Sequence, residues 1–339
     1  MFMNLSKLVF LFCLVSGTLI SISSNSWLGA WMGLEINLLC FIPLMSNSNN
    51  MISNESALKY FLAQALASSV LLFSIIISSL MEGSIFFSEI LSISQIMLMS
   101  ALLLKLGAAP FHFWFPSVME GLDWVNGLIL MTWQKIAPLV LLTYNYNSFF
   151  LNMIVIFCLF TGAIGGLNQT NLRSLMAFSS INHLGWILSS MMISQSMWIT
   201  YYSFYVFLSF TIISIFLNFK VYSFIQINST LNASPMNKFI LFSNLLSMGG
   251  LPPFLGFFPK LLVIQNLIFS NNLFLIFCMV MSALITLFFY IRISFTSFMI
   301  MSLNLKWYKS NYFSNKFLHI LNSISLFGLM FIIFFHAYL

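Results

Sequence analysis

Apolar segments of about twenty residues follow one another along almost the whole chain, separated by short polar connections. A helix needs about 20 apolar residues to cross the hydrocarbon core of a bilayer. Only 5% of the 339 residues are charged, whereas a water-facing domain carries about a quarter. The sequence therefore predicts an all-α polytopic membrane protein, one transmembrane domain over residues 1–339. We expect roughly eleven spans, near residues 5–23, 26–45, 57–80, 91–106 (extended to 122), 124–144, 149–167, 172–193, 197–219, 237–268, 272–300 and 317–338.

Two of these segments contain helix-breaking residues next to a lysine. In the first, Lys105 is followed by Gly107 and Pro110; in the second, 249–259 (GGLPPFLGFFP) precedes Lys260. Such residues interrupt a membrane helix mainly where protein or water satisfies the freed backbone groups. Two interrupted segments with adjacent charges are typical of ion transporters built from inverted repeats.

Once the charges in loops and at span ends are set aside, five charged residues remain inside the predicted spans: Glu35, Lys105, Lys135, Lys260 and Arg292. A lysine at the bilayer centre costs about 2.5–3.5 kcal/mol on the insertion scale, so the three lysines favour a function in handling protons or ions over a purely structural role. Six of the eight prolines lie near these lysines, at positions 110, 116, 138, 252, 253 and 259. The sequence thus predicts irregular, hydrated backbone around them.

Lysine suits proton transfer because its pKa falls on desolvation and rises beside a carboxylate. Glu35 is the one carboxylate deep in a predicted span, so we expect it to pair with Lys105 or Lys135. A lysine whose carboxylate partner moves away becomes a proton donor. Arginine, with its much higher pKa, would not serve.

The remaining polar residues are less informative. Arg292 lies near the end of its span, where snorkelling explains it, and Lys59 is placed to pair with Glu55 one helical turn away. His112 and His183 lie at bilayer depth, where each is either a hydrogen-bonded core residue or a proton relay. Four cysteines, in no metal-ligand spacing, read as small buried hydrophobes: Cys13, Cys40, Cys158 and Cys278.

The loop charges predict an orientation. With eleven spans, every lysine and arginine outside the membrane falls on the side of the N-terminus, and the opposite side carries only Glu82 and Glu89. The positive-inside rule then places the N-terminus on the cytosol-equivalent side and the C-terminus opposite. The positive charges are too sparse and scattered for a nucleic-acid surface.

Four longer motifs occur in a fixed order: 105–114 (KLGAAPFHFW), 168–173 (NQTNLR), 180–186 (SINHLGW) and 250–260 (GLPPFLGFFPK). They resemble the antiporter-like membrane-arm subunits of mitochondrial NADH:ubiquinone oxidoreductase (respiratory complex I), namely the subunit 2 family. The match runs essentially end to end, and the composition, rich in Phe and Met, resembles arthropod members.

The resemblance implies two inverted five-helix repeats, each with one broken helix, over about 1–145 and 149–300, with a C-terminal helix near 317–338. It also implies roles for the buried charges. Glu35 and Lys105 match the family's glutamate–lysine pair, Lys135 its bridging lysine and Lys260 the lysine of its second broken helix. His112 and His183 match positions along its hydrophilic axis less decisively.

As a member of this family, the chain would take part in proton translocation across the inner mitochondrial membrane, with its N-terminus in the matrix and its C-terminus in the intermembrane space. No cofactor is expected in this chain, since NADH, FMN, the iron–sulfur clusters and ubiquinone belong to other subunits. Its expected partners are neighbouring membrane-arm subunits, including antiporter-like ones, and membrane lipids such as cardiolipin, which would bind Lys306, Lys309 and Lys316.

Two other functions are compatible with the residues. A stand-alone cation/proton antiporter would use the same repeat, although one buried glutamate is poor provision for binding sodium. A structural spacer of the membrane arm would use the lysines only to hold helices together. The spacer predicts that charge-neutral replacements lose assembly but keep pumping.

Overall fold

The computed structural model describes residues 5–47, 50–81, 88–224, 226–227, 235–299 and 321–329. These residues are almost entirely helical, and within them the only β-type pairing is an isolated bridge between Asn171 and Ser223. The predicted all-α class is therefore confirmed. The helices are α1 Leu5–Ser23, α2 Trp27–Met45, α3 Met51–Met81, α4 Ser88–Leu106, α5 Trp114–Gly121, α6 Trp124–Met131, α7 Trp133–Tyr144, α8 Ser148–Gly166, α9 Leu172–Met191, α10 Gln195–Phe219, α11 Pro235–Gly249, α12 Phe257–Phe269 and α13 Leu273–Met299. A further helical segment covers residues 321–329.

Seven helical segments in the described ranges are long and apolar enough to cross a membrane, if α6 and α7 are taken together as Trp124–Tyr144. The other six are Leu5–Ser23, Trp27–Met45, Met51–Leu80, Ser148–Gly166, Gln195–Phe219 and Leu273–Phe295. Two shorter apolar helices, Ile93–Leu106 and Phe257–Phe269, adjoin the breaks. Many large apolar side chains are exposed, among them Leu5 and Phe12, as expected for surfaces that face lipid or other subunits. The count of about eleven spans stays a prediction.

The chain divides into two compact units, Met1–Ile154 and Val155–Leu339. In the first unit, α1 and α2 pack very closely: a Cβ atom on Gly33 would lie 2.5 Å from the Ser21 backbone nitrogen. Ser26 caps α2 by accepting a hydrogen bond from the Gly29 N–H. Next along the chain, α3 packs against α2, α4 and α5, and α4 also packs against α7. The predicted repeat boundaries themselves stay a prediction.

In the second unit, α9 is the central helix. All of its residues except Arg173 and Phe178 are buried, and it packs against α10, α12 and α13. A Cβ atom on Gly162 of α8 would lie 2.6 Å from the Asn182 backbone nitrogen, so this glycine allows close approach of the two backbones. A helix buried all round lies in the interior of its bundle.

The two predicted breaks, after Lys105 and before Lys260, are both present, one in each unit, and they share one geometry. At the end of α4, Gly107 has φ 73°, its N–H bonds the Leu104 carbonyl, and the Ala108 N–H bonds the Leu103 carbonyl. This pairing is the Schellman motif, in which glycine adopts the left-handed conformation that other residues avoid.

The end of α11 repeats this pattern. Gly250 has φ 85°, its N–H bonds the Ser247 carbonyl at 3.0 Å, and the Leu251 N–H bonds the Leu246 carbonyl at 3.4 Å. Both helices therefore end with a negative dipole end and orphan carbonyls inside the protein. The partial negative charge of these carbonyls favours a cation at each broken helix end.

Candidate functional site

The first unit encloses a small cavity beside the break that ends α4. It offers about 20 Å³ of space for water molecules, enough for about one water. Two of the predicted site residues, Lys105 and Lys135, are brought together in its lining. The full lining is Leu34, Asn37, Leu38, Tyr60, Gln64, Lys105, Leu106, Trp114, Phe115, Leu130, Gln134, Lys135 and Pro138.

The broken end of α4 is held by side chains from neighbouring elements. Gln64 of α3 donates from its Nε2 to the Lys105 carbonyl at 3.3 Å, and the Trp114 Nε1 donates to the Leu104 carbonyl at 3.1 Å. Both carbonyls belong to the last turn, where helical N–H donors run out; the Leu104 carbonyl also accepts from the Gly107 N–H. The break is therefore a fixed element of the site.

Lys135 is 2% exposed and lies in the first turn of α7. Its Nζ lies 5.0 Å from the centre of the Phe115 ring, a distance at which a ring face attracts a cation. The helix is interrupted just before it at Thr132 (φ −109°, ψ −78°), where the Thr132 hydroxyl donates to the Leu128 carbonyl. The sequence had pointed to irregularity around Pro138, but the structure keeps Pro138 inside α7 and places the interruption six residues earlier, at Thr132.

Glu35 is partly exposed on α2. Its charge is close enough to interact electrostatically with Lys105, but the two do not form an ion pair within 4.0 Å. Among the residues that the structure describes, the one ion pair at that distance joins Lys59 and Glu55 at 2.7 Å, as the sequence suggested. Glu35 and Lys105 therefore interact through space and not by direct contact.

A hydrogen bond links α2, which carries Glu35, to α7, which carries Lys135. Gln134 donates from its Nε2 to the Asn37 Oδ1 at 3.0 Å. Asn37 follows Glu35 by two positions, and Gln134 directly precedes Lys135. These two amides and that of Gln64 form the uncharged polar part of the cavity lining. None of the three was predicted from the sequence, because the prediction relied on charged residues.

Lys260 lies in the second unit, on α12, and is 5% exposed. Its Nζ donates to the Gly249 carbonyl at 2.7 Å and to the Met248 carbonyl at 3.3 Å, so the ammonium caps the broken end of α11. The same Nζ lies 5.6 Å from the centre of the Trp186 ring. A Cβ atom on Gly250 would come within 3.0 Å of this Nζ, which explains why a glycine stands there.

His183 is connected to this lysine by a series of aromatic contacts. Its Nδ1 lies 3.0 Å from the Tyr201 hydroxyl, and Tyr201 stacks on Trp186 at 7° between ring planes. Trp186 also faces Lys260, so one hydrogen bond and two ring contacts connect the histidine to the lysine. The sequence did not single out Trp186 and Tyr201, because buried aromatic residues are common in membrane helices.

The structure does not bring His112 to the cavity. It lies in the turn after the break, where its Nδ1 is 3.3 Å from the Pro110 carbonyl and its ring stacks on Phe113 at 4.4 Å. Arg292 is exposed and donates to the Leu167 carbonyl, just beyond the end of α8. This bond suits a cation at a helix C-terminus and adds a specific contact to the snorkelling predicted for Arg292.

The described part of the chain contains no group of three or more His, Cys, Asp or Glu side chains placed to hold a metal ion. The chemistry that the buried groups support is proton transfer. Ammonium groups, a carboxylate, an imidazole beside a phenol, and a cavity with room for water supply donors and acceptors inside an apolar protein.

Comparison with known proteins gives the family. Residues 24–286 match the family model described as "NADH:quinone oxidoreductase/Mrp antiporter, TM". Proteins named NADH-ubiquinone oxidoreductase chain 2 are similar over nearly the whole chain: that of Anopheles gambiae is 54% identical, covering 97% of each chain. That of Bos taurus is 36% identical, covering 88% of this chain and 89% of the bovine one. The higher identity to the insect protein fits the predicted arthropod form.

A chain in the solved structure of respiratory complex I from Thermus thermophilus with bound aureothin has the same fold, with a TM-score of 0.76 at 20% identity, covering 87% of this chain and 71% of that chain. The family match spans well over half of the residues and agrees with the helices and breaks described above. The chain belongs to the NADH:quinone oxidoreductase/Mrp antiporter family of membrane subunits, within its NADH-ubiquinone oxidoreductase chain 2 branch.

Proposed function

We propose that this chain is a core membrane-arm subunit of respiratory complex I. In this role it takes part in proton translocation across the inner mitochondrial membrane, coupled to electron transfer from NADH to ubiquinone in other subunits. The observation that carries the proposal is the recurrence of a buried lysine at the broken helix of each unit. Lys105 lies in the last turn of α4, and Lys260 caps the last turn of α11.

A lysine in this setting is matched to proton transfer. The carbonyls at a broken helix end favour an ammonium, whereas the surrounding apolar side chains disfavour any charge. A small change in the distance of a nearby carboxylate therefore changes which protonation state is stable. Arginine, which stays charged, lacks this property.

In the first unit, the proposed transfer runs between Lys105 and Lys135 through the cavity that both line. A water molecule there would accept a proton from the ammonium of one lysine and donate one to the neutral amine of the other. Glu35 would gate the step through its charge on Lys105: approach of the carboxylate favours the ammonium, and withdrawal favours release. The gap of more than 4.0 Å between them leaves room for that movement.

In the second unit, the proposed acceptor and donor is Lys260, with His183 as a relay. The histidine shares a hydrogen bond with Tyr201, and the rings of Tyr201 and Trp186 lie between it and the lysine. Since ring contacts do not carry protons, the relay would require water between His183 and Lys260. His112 is the weaker relay candidate, because it lies in the turn after the first break and outside the cavity lining.

We place the N-terminus on the matrix side and the C-terminus on the intermembrane-space side, on the basis of the one-sided loop charges. Neighbouring antiporter-like subunits are the proposed partners. Cardiolipin is the proposed lipid ligand of Lys306, Lys309 and Lys316, which lie outside the described residues.

The test is to replace Lys105 or Lys260 with methionine in the assembled complex and to measure protons pumped per NADH oxidised. We expect the ratio to fall for each variant while the amount of assembled complex stays near wild type. Loss of assembly with a normal ratio in the remaining complex would instead support a structural spacer. Cation flux through the purified chain alone would support a stand-alone antiporter.

A further inference from the structure

Three buried polar residues connect the C-terminal helical segment to α11. Asn244, Asn322 and Ser325 are 0%, 3% and 0% exposed. The Asn244 Nδ2 donates to the Asn322 Oδ1 at 2.6 Å, and the Ser325 hydroxyl donates to the Asn244 Oδ1. Both ends of the Asn244 amide are therefore engaged by residues about eighty positions later in the chain. We call these three residues the amide cluster.

The same segment also contacts the loop that follows the break. The Leu255 N–H donates to the Ser325 carbonyl at 3.4 Å. A Cβ atom on Gly328 would lie 2.1 Å from the Leu255 Cδ1, so the helix backbone lies directly against this side chain. Residues 321–329 thus contact the chain on both sides of the break: α11 just before it ends, and the loop that follows.

The broken end lies one helical turn beyond the amide cluster. Asn244 accepts a hydrogen bond at its carbonyl from the Ser247 hydroxyl at 2.6 Å, and the carbonyls of Met248 and Gly249 follow directly. These are the two carbonyls that bind Lys260. Any rotation or shift of α11 at Asn244 would move the lysine's acceptors by a comparable amount.

Burying these amide and hydroxyl groups costs free energy that apolar side chains at the same positions would not cost. A buried amide or hydroxyl without a partner is destabilising by about 1–3 kcal/mol, whereas leucine or alanine at the same positions would pack without that requirement. A fully bonded polar cluster fixes one arrangement of the two helices, because any other register leaves its members unpaired. The amide cluster therefore sets the register of the broken end.

We infer that Asn322 and Ser325 are positioning residues for proton transfer at Lys260: through Asn244 they hold the terminal carbonyls of α11 where the lysine ammonium binds them. The inference rests on the proposed function of Lys260. It gives the C-terminal segment a role that neither the lysine motif nor the family match assigns to it.

The test compares Ser325→Val with Ser325→Thr in the assembled complex. The two side chains have nearly the same size, and only threonine keeps the hydroxyl that bonds Asn244. We expect S325V to lower the rate of proton pumping about fivefold, the factor that corresponds to one buried hydrogen bond, and to shift its pH profile. S325T should retain the wild-type rate and pH profile at equal assembly. Ser323→Val, at an exposed position of the same segment, is the control.

Equal pumping rates and pH profiles in S325V and S325T would overturn the inference. If valine and threonine both lower the amount of complex, Ser325→Ala replaces them, because it removes the hydroxyl without adding volume. A wild-type pumping rate and pH profile in S325A would then overturn the inference. Lys260→Met is measured in parallel. A normal proton ratio in K260M contradicts the proposed function of the lysine, whereas a reduced ratio in K260M with a normal S325V contradicts the positioning role alone.

Discussion

Lys260 donates to the Gly249 carbonyl at 2.7 Å, so a lysine from one helix neutralises the broken end of another. The contact gives a buried lysine side chain hydrogen-bond acceptors inside the protein. The ammonium exchanges its hydration for helix-terminal carbonyls, which carry a partial negative charge. It also makes the lysine sensitive to the exact position of the break.

Replacement of Gly250 with alanine tests that sensitivity. A left-handed conformation costs about 1–2 kcal/mol for a residue with a Cβ atom, and this Cβ would lie 2.9 Å from the Lys260 Cδ. We expect G250A to lower both the thermal stability of the complex and its proton pumping. Gly249→Ala is the matched control, because its Cβ would make only ordinary contacts, with the Tyr290 ring at 3.4 Å and Leu287 at 3.7 Å. Equal effects of the two variants would contradict this account.

Gln64→Leu should loosen the first break. The variant removes the donor to the Lys105 carbonyl and leaves that buried acceptor unsatisfied, at a cost of about 1–3 kcal/mol. We expect a lower thermal midpoint and a lower coupled rate, measured as NADH oxidation with and without an uncoupler. Ser69→Ala, on the exposed side of the same helix, should change neither quantity. A Q64L complex with wild-type coupling would show that the break needs no support from α3.

Lys135→Met should reduce proton pumping by about tenfold or more, since a positioned proton-transfer group contributes about 10²–10⁴ to a rate. The lysine lines the same cavity as Lys105, and methionine fills similar space without a transferable proton. Proton release per NADH in reconstituted vesicles is the measurement. Lys7→Met, at an exposed position in α1, is the control for loss of positive charge. Equal pumping in K135M and K7M would remove Lys135 from the path.

The two histidines should differ in their effects. His183 is buried and lies 3.0 Å from the Tyr201 hydroxyl, whereas His112 bonds a local carbonyl outside the cavity lining. We expect His183→Ala to lower pumping severalfold and His112→Ala to leave it near wild type. Pumping rates normalised to the amount of assembled complex are compared. The reverse order would assign the relay to His112 and refute the path through Tyr201.

The breaks were predictable from sequence because their causes are local. Gly107 and Gly250 supply the left-handed conformation, and nearby prolines prevent the helix from continuing. The buried lysines stood out for a similar reason, since few residues in an apolar chain carry a charge.

The partners of these lysines were less accessible to prediction. The acceptors of Lys260 are backbone carbonyls, which every residue possesses, so no residue type marks them. Glu35 and Lys105 do not form the expected ion pair within 4.0 Å. Their separation depends on how α2 and α4 pack, which the sequence does not specify. Asn37, Gln64 and Gln134 form part of the cavity lining, but uncharged amides do not stand out in a sequence with many serines and asparagines.

The burial of α9 has a consequence for biogenesis. This helix is buried along nearly its whole length, yet it is not among the seven described helices that are apolar enough to cross a membrane unaided. Its serines, Asn182 and His183 are acceptable only beside protein partners. Insertion of α9 during synthesis therefore depends on α8 and α10 being present to shield it. A mutation that weakens either neighbour should first appear as a failure of membrane integration, detectable in newly made chains before any complex has formed.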